Sequence, residues 1–83
     1  MLNAEILRVA NEALLDGLRN CDGMLAVPPH ELNDTAKTSA KDRFLSREAY
    51  DFLEHNRLIK RIAGKKLWCL TEFGRDRALE LKG

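Results

Sequence analysis

The sequence predicts a small, mainly helical domain carrying one β-hairpin, and three observations predict it. Apolar residues recur at helical spacing through the first twenty positions. Two short runs, 58–62 and 66–70, alternate well enough for strands and flank the turn Ala63-Gly64-Lys65. Thr71 then opens a last segment whose apolar positions again fall at helical spacing. The chain has 83 residues, which predicts one domain over 1–83 and leaves no room for a deep enzyme cleft. With 45% hydrophobic and 33% charged residues it has the composition of a globular chain, not a disordered one.

The elements follow in order. Asn3 caps a helix to about Asn20, with Ile6, Leu7, Ala10, Ala13, Leu14 and Leu18 on its apolar side. The run NCDG at 20–23 stops it, with Gly23 suited to a positive φ. Positions 24–27 read as a short strand ending at Pro28-Pro29, after which 28–34 open a turn or short helix. The next helical stretch contains two stripes in different registers. Ala36, Ala40 and Phe44 form one, and Leu45, Ala49, Phe52 and Leu53 the other. The shift predicts two helices, 35–43 and 46–56, with Ser46 capping the second; one long kinked helix is the alternative. In the hairpin, Ile59, Trp68 and Leu70 face the core, and Gly64 supplies the special φ of the turn. Glu72 favours the dipole of the last helix, on which Gly74, Ala78 and Leu81 share one face. Gly74 allows close approach to a neighbour.

Charge is spread unevenly. Residues 1–34 carry two cations and six anions, and residues 35–83 carry twelve and seven, so the halves stand at −4 and +5. Arg57, Lys60, Arg61, Lys65 and Lys66 lie within ten positions that hold no anion. A protruding ribbon with a basic tip is a shape that small DNA-binding domains use. The cysteines, Cys21 and Cys69, have no CxxC neighbour, and His30 and His55 are not at metal-ligand spacing from them. This argues for buried thiols rather than zinc. No apolar run is long enough to span a bilayer, and the N-terminus lacks the pattern of a secretory signal, so a cytoplasmic protein is expected. No cofactor, small-molecule ligand, catalytic motif or Gly-rich phosphate loop is indicated, and an enzyme is not expected.

Two passages carry a resemblance. Phe52-Leu53-Glu54-His55-Asn56-Arg57-Leu58-Ile59 looks like the junction between recognition helix and wing in winged helix-turn-helix domains. Trp68-Cys69-Leu70-Thr71-Glu72-Phe73-Gly74-Arg75 resembles the aromatic-x-Leu-Thr-x-x-Gly-Arg passage from wing to last helix in multiple-antibiotic-resistance-type and phenolic-acid-type bacterial regulators. The resemblance runs from about Met24 to the end of the chain. It implies the order helix, strand, helix, helix, strand, wing, strand, helix, and a transcriptional regulator that binds double-stranded DNA as a homodimer. Two departures stand out. Arg57 occupies the position of the usual junction glycine, where Asn56 is expected to take the left-handed conformation instead. The helix 46–56 carries Glu48, Asp51 and Glu54, with Arg47 its only cation near the start.

The candidate DNA contacts follow. Lys60, Arg61, Lys65 and Lys66 in the wing, with Arg57 before it, would meet the phosphate backbone; the bland alternative is a solvated hairpin with charged edges. Lys37, Lys41 and Arg43 would clamp an adjoining phosphate strand, or simply form a solvated helix face. Arg47 and Tyr50 stand nearest to base edges, although Tyr50 also fits a half-buried core position. Trp68 reads as core. Arg75 and Arg77 read as partners for Asp76 or Glu80. A dimer is expected through the apolar face 6–18 or the last helix. The competing reading is a protein-interaction module that uses Glu48, Asp51 and Glu54 against a basic partner, without DNA.

Overall fold

Asn3 opens the first helix as its sequence position predicts. In the computed structural model, which describes residues 3–20, 22–25, 28, 39–65 and 67–83, its side-chain oxygen accepts from the Ile6 N–H at 2.8 Å. Helix α1 runs Ala4–Arg19 and buries Ile6, Ala10, Leu14 and Gly17. Ile6, Ala10 and Leu14 lie in the core of the single chain, so much of the apolar face 6–18 expected as a dimer surface is already used within it. The turn after α1 is built by local polar chemistry. Asp22 Oδ1 accepts from the Met24 N–H at 3.0 Å, and Gly23 takes φ 72°.

The strand expected at 24–27 contracts to a single bridge among the described residues. Met24 pairs antiparallel with Cys69. The Leu25 N–H donates to the Trp68 carbonyl at 3.0 Å and the Leu70 N–H to the Gly23 carbonyl at 2.9 Å. Ala26, Val27 and Pro29 lie outside the described residues, as do 30–38, and with them the start of the helix expected at 35–43.

Helix α2 runs Ala40–His55 without interruption, so the break expected at 44–46 is absent. Ser39 is its cap, accepting from the Asp42 N–H at 3.1 Å. Ser46 caps nothing; it is 2% exposed in the middle of the helix, in the groove between α1 and α2. A serine makes a good cap but also a small contact residue where two helices approach, and here the second use prevails. Leu45, Ala49 and Leu53 set the buried face together with Ser46 and Tyr50. Phe44, expected in an apolar stripe, falls on the opposite side.

The end of α2 explains the junction that follows. The Leu58 N–H donates to the Leu53 carbonyl at 2.9 Å, and the Arg57 N–H to the Glu54 carbonyl at 3.0 Å. These are the two bonds of a Schellman ending, which needs a left-handed residue just past the cap. That residue is Arg57, at φ 61°, and not Asn56, at φ −91°. Thr71 closes the arrangement from the other side. Its hydroxyl donates to the Arg57 carbonyl at 2.6 Å and accepts from the Gly74 N–H at 3.0 Å, while its own N–H donates to the Leu58 carbonyl at 3.1 Å. One residue thus caps helix α3, Glu72–Lys82, and ties it to the end of α2. Gly74 is required there, because a Cβ would stand 1.8 Å from the Leu58 carbonyl oxygen.

Between these helices lies a two-stranded antiparallel hairpin, β1 Ile59–Arg61 and β2 Trp68–Leu70, with Ile59 opposite Leu70 and Arg61 opposite Trp68. Gly64 at φ 75° makes the turn. The order α1, α2, β1, β2, α3 is thus mainly helical with a small hairpin. Ile6, Ala10, Leu14, Leu53, Ile59, Trp68 and Ala78 form one contiguous core drawn from every element.

The junction gives two opposed predictions for chemical denaturation. Gly74→Ala loses on the order of 3 kcal/mol, because backbone cannot yield as a flexible side chain would. Arg57→Gly gains about 0.5–1 kcal/mol: a left-handed L-residue costs roughly 1–2 kcal/mol, part of which glycine's looser unfolded state returns.

Candidate nucleic-acid interface

The exposed surface of α2 divides by charge along its length. Its front half, 40–47, carries Lys41, Arg43 and Arg47 against Asp42, and its back half, 48–55, carries Glu48, Asp51 and Glu54 with no lysine or arginine. Because the helix begins at Ala40 rather than at 46, the cations, and not the acids, stand at its leading end. Asp42 is set to one side, where it lines the groove toward α1. Lys41 pairs with Glu5 of α1 at 3.3 Å, both side chains largely exposed. A pair of this kind is worth at most about 1 kcal/mol and yields readily to another anion. Arg43 is half-buried and Arg47 is exposed.

Tyr50 does not stand near Arg47 at a solvent face. It is 6% exposed and meets the Trp68 ring edge-on, with centroids 5.3 Å apart at 84°. Burial, and next the negative charge of Asp16, pushes its phenol up to about 12. Tyr50 is thus a core residue that cannot reach a base edge. Position explains it: Tyr50 follows Ser46 by four residues and so shares its buried side.

Trp68 joins α2 to the hairpin. Its indole N–H donates to Glu54 Oε1, and its ring is 3% exposed. Glu54 therefore serves the fold and is drawn toward the hairpin. On the facing strand, Arg61 lies directly across from Trp68, and its guanidinium stacks 5.2 Å from the ring centroid. The Arg61 Nε also donates to the Lys65 carbonyl at 3.2 Å. Arg61 thereby stiffens the turn, while Lys60 and Lys65 are exposed. Arg57 is exposed at the hairpin base. Lys37 and Lys66 lie outside the described residues. Arg77 pairs with Glu80 at 3.3 Å on α3, the internal use expected for it.

The structure therefore brings Lys41, Arg43 and Arg47 onto the front of one helix. It fixes Arg57, Lys60, Arg61 and Lys65 on the hairpin joined to that helix's other end. Sequence reasoning missed Phe44, which is 54% exposed between Lys41 and Arg47. The signal was the spacing Leu45, Ala49, Leu53, which, carried back along the helix, turns Phe44 outward.

Other surfaces offer less. A groove of about 590 Å³ between α1 and α2 mixes Arg8 and Arg19 with Glu12, Asp16 and Asp42, so an entering ligand meets both signs. Among the described residues, no group of three or more His, Cys, Asp or Glu is placed to hold a metal ion. Cys69 is a free, half-buried thiol. No helix among the described residues is long and apolar enough to cross a membrane. Compared with protein-family models, curated proteins and solved structures, the chain matches none.

Two measurements check this geometry. Glu54→Ala leaves a buried indole N–H without its acceptor and costs about 1–3 kcal/mol in urea, whereas Asp51→Ala stays within about 0.5 kcal/mol. Tyr50 is the one tyrosine of the chain, so phenolate absorbance reads it alone. Its midpoint stands near 12 in the folded protein and near the ordinary 10.0 in denaturant. The folded state holds this proton more tightly, so the stability linked to Tyr50 is intact below pH ~10 and lost as pH rises toward ~12.

Proposed function

We propose that this chain is a winged helix domain that binds duplex DNA, with α2 as recognition helix and the hairpin as wing, acting as a transcriptional regulator. The observation that carries the reading is the polarity of α2. In helix-turn-helix docking the N-terminal residues of the recognition helix meet the bases. Here that end holds Lys41, Arg43 and Arg47, and the acids are displaced to the far half.

Three further features support it. The Schellman ending at Arg57 and the Thr71 clamp hold the hairpin at a fixed angle to α2, as simultaneous contact with groove and backbone demands. The Met24 bridge to Cys69 sets one residue beside β2, on the side where a winged helix carries its third strand. Lys60 and Lys65 project from the hairpin, where phosphate contacts add affinity without sequence preference. In this mode Arg47 pairs with a guanine edge, while Lys41 leaves Glu5 for a phosphate. Two copies would occupy two half-sites. The alternative, a protein-interaction face of Glu48, Asp51 and Glu54, has one of its three acids engaged by the Trp68 indole.

Fluorescence anisotropy with a labelled duplex tests the reading. Binding should weaken steeply with salt, and Lys65→Glu with Lys66→Glu should abolish it while the melting temperature holds. Absence of any binding at low salt would refute the proposal.

A further inference from the structure

The outward stripe of α2 places an aromatic ring among cations. Phe44 is 54% exposed, with Lys41 three residues before it and Arg47 three residues after. Ala49, at the centre of the buried face, lies five residues on, which at 100° per residue is roughly 140° around the helix. No turn of α2 about its axis can therefore bury Phe44 without exposing Leu45, Ala49 and Leu53. Ala40 and Arg47 share its side of the helix, so the ring sits in the part of α2 that the proposed docking puts deepest.

The chemistry of the major groove narrows what such a ring can touch. Guanine, cytosine and adenine present only donors and acceptors there, and the one apolar group on offer is the C5 methyl of thymine. A phenyl ring pressed on the polar edges would strip them of water and return no hydrogen bond. Against a methyl group it loses nothing and removes apolar surface from water. Lys41 and Arg47 on either side supply the positive charge that draws the backbone and a neighbouring guanine to the same stretch.

We infer that Phe44 is a specificity-determining residue that reads a thymine methyl in the major groove, one turn of helix from the base read by Arg47. This rests on the DNA-binding reading above and deepens it. The preferred half-site then holds a T·A pair within a few steps of a G·C pair. Phe44 is also dispensable for folding, since its ring lies outside the core.

The test starts from a pool of random 20-base-pair duplexes, from which the full chain retains its best binders at low salt. Those duplexes are made again with deoxyuridine for thymidine, which deletes only the C5 methyl, and binding is measured for the original chain and for Phe44→Ala. The original chain should lose about fourfold on the uracil duplex, as one buried methyl at about 0.8 kcal/mol implies at 1.4 kcal/mol per tenfold. Phe44→Ala should bind the thymine duplex at least fourfold more weakly, show no further loss on the uracil duplex, and melt at an unchanged temperature. Equal binding of both duplexes by the original chain, or a methyl effect that survives in Phe44→Ala, overturns the assignment and leaves DNA binding standing. If the pool yields no retained duplex at all, the DNA reading falls and the assignment falls with it.

Discussion

A single close approach holds the two halves of this molecule together. The Leu58 carbonyl, three residues past the end of α2, sits against the backbone of α3 at Gly74, where no side chain fits. Thr71 fixes that approach with three hydrogen bonds, to the carbonyls of Arg57 and Leu58 and from the N–H of Gly74. The path of the chain into the hairpin depends on Arg57 turning left-handed, which an arginine does only at a cost. Once the turn is made, Leu58 satisfies the Leu53 carbonyl, Ile59 enters the core, and the hairpin leaves α2 in one direction only. The Leu-Thr-x-x-Gly-Arg pattern thus has a mechanical meaning: the threonine is cap and clamp together, and the glycine is the contact point.

Side chains reinforce what the backbone sets. Trp68 is gripped by Tyr50 and Glu54 from α2 and by Arg61 from the facing strand. This hub gives one of the acids and one of the basic hairpin residues structural work. The acidic character of α2, which weighs against DNA when its residues are counted together, looks different when they are placed. One carboxylate serves the indole, one faces the α1 groove, and Glu48 and Asp51 lie behind the leading end. Rigid linkage of helix and hairpin is what the proposed binding mode requires, because contacts made separately by two loosely joined parts would each have to meet the cost of ordering.

Much of this was legible in the residues. The Asn3 and Thr71 caps, the core-facing Ile59 and Trp68 of the hairpin, the turn at Gly64 and the close approach at Gly74 follow from local chemistry that tertiary contacts do not override. The start of α2 did not follow. Ala40 and Phe44 imitate an apolar stripe, and Ser46 imitates a cap; only packing against α1 decides that the serine is buried and the phenylalanine is not. With Ser46 on the buried side, Tyr50 four residues on goes into the core with it and Phe44 is turned outward. The left-handed residue was misassigned for a related reason. Asn tolerates that conformation better than Arg, but the hydrogen bonds that end α2 select by position and not by preference.

Whether the leading end of α2 and the hairpin form one binding surface is most directly tested by backbone amide chemical shifts during titration with duplex DNA. The account predicts that the largest changes fall in 40–47 and 57–66, with Glu48, Asp51 and α3 little affected. Changes concentrated on Glu48 and Asp51, or on α3, would contradict it.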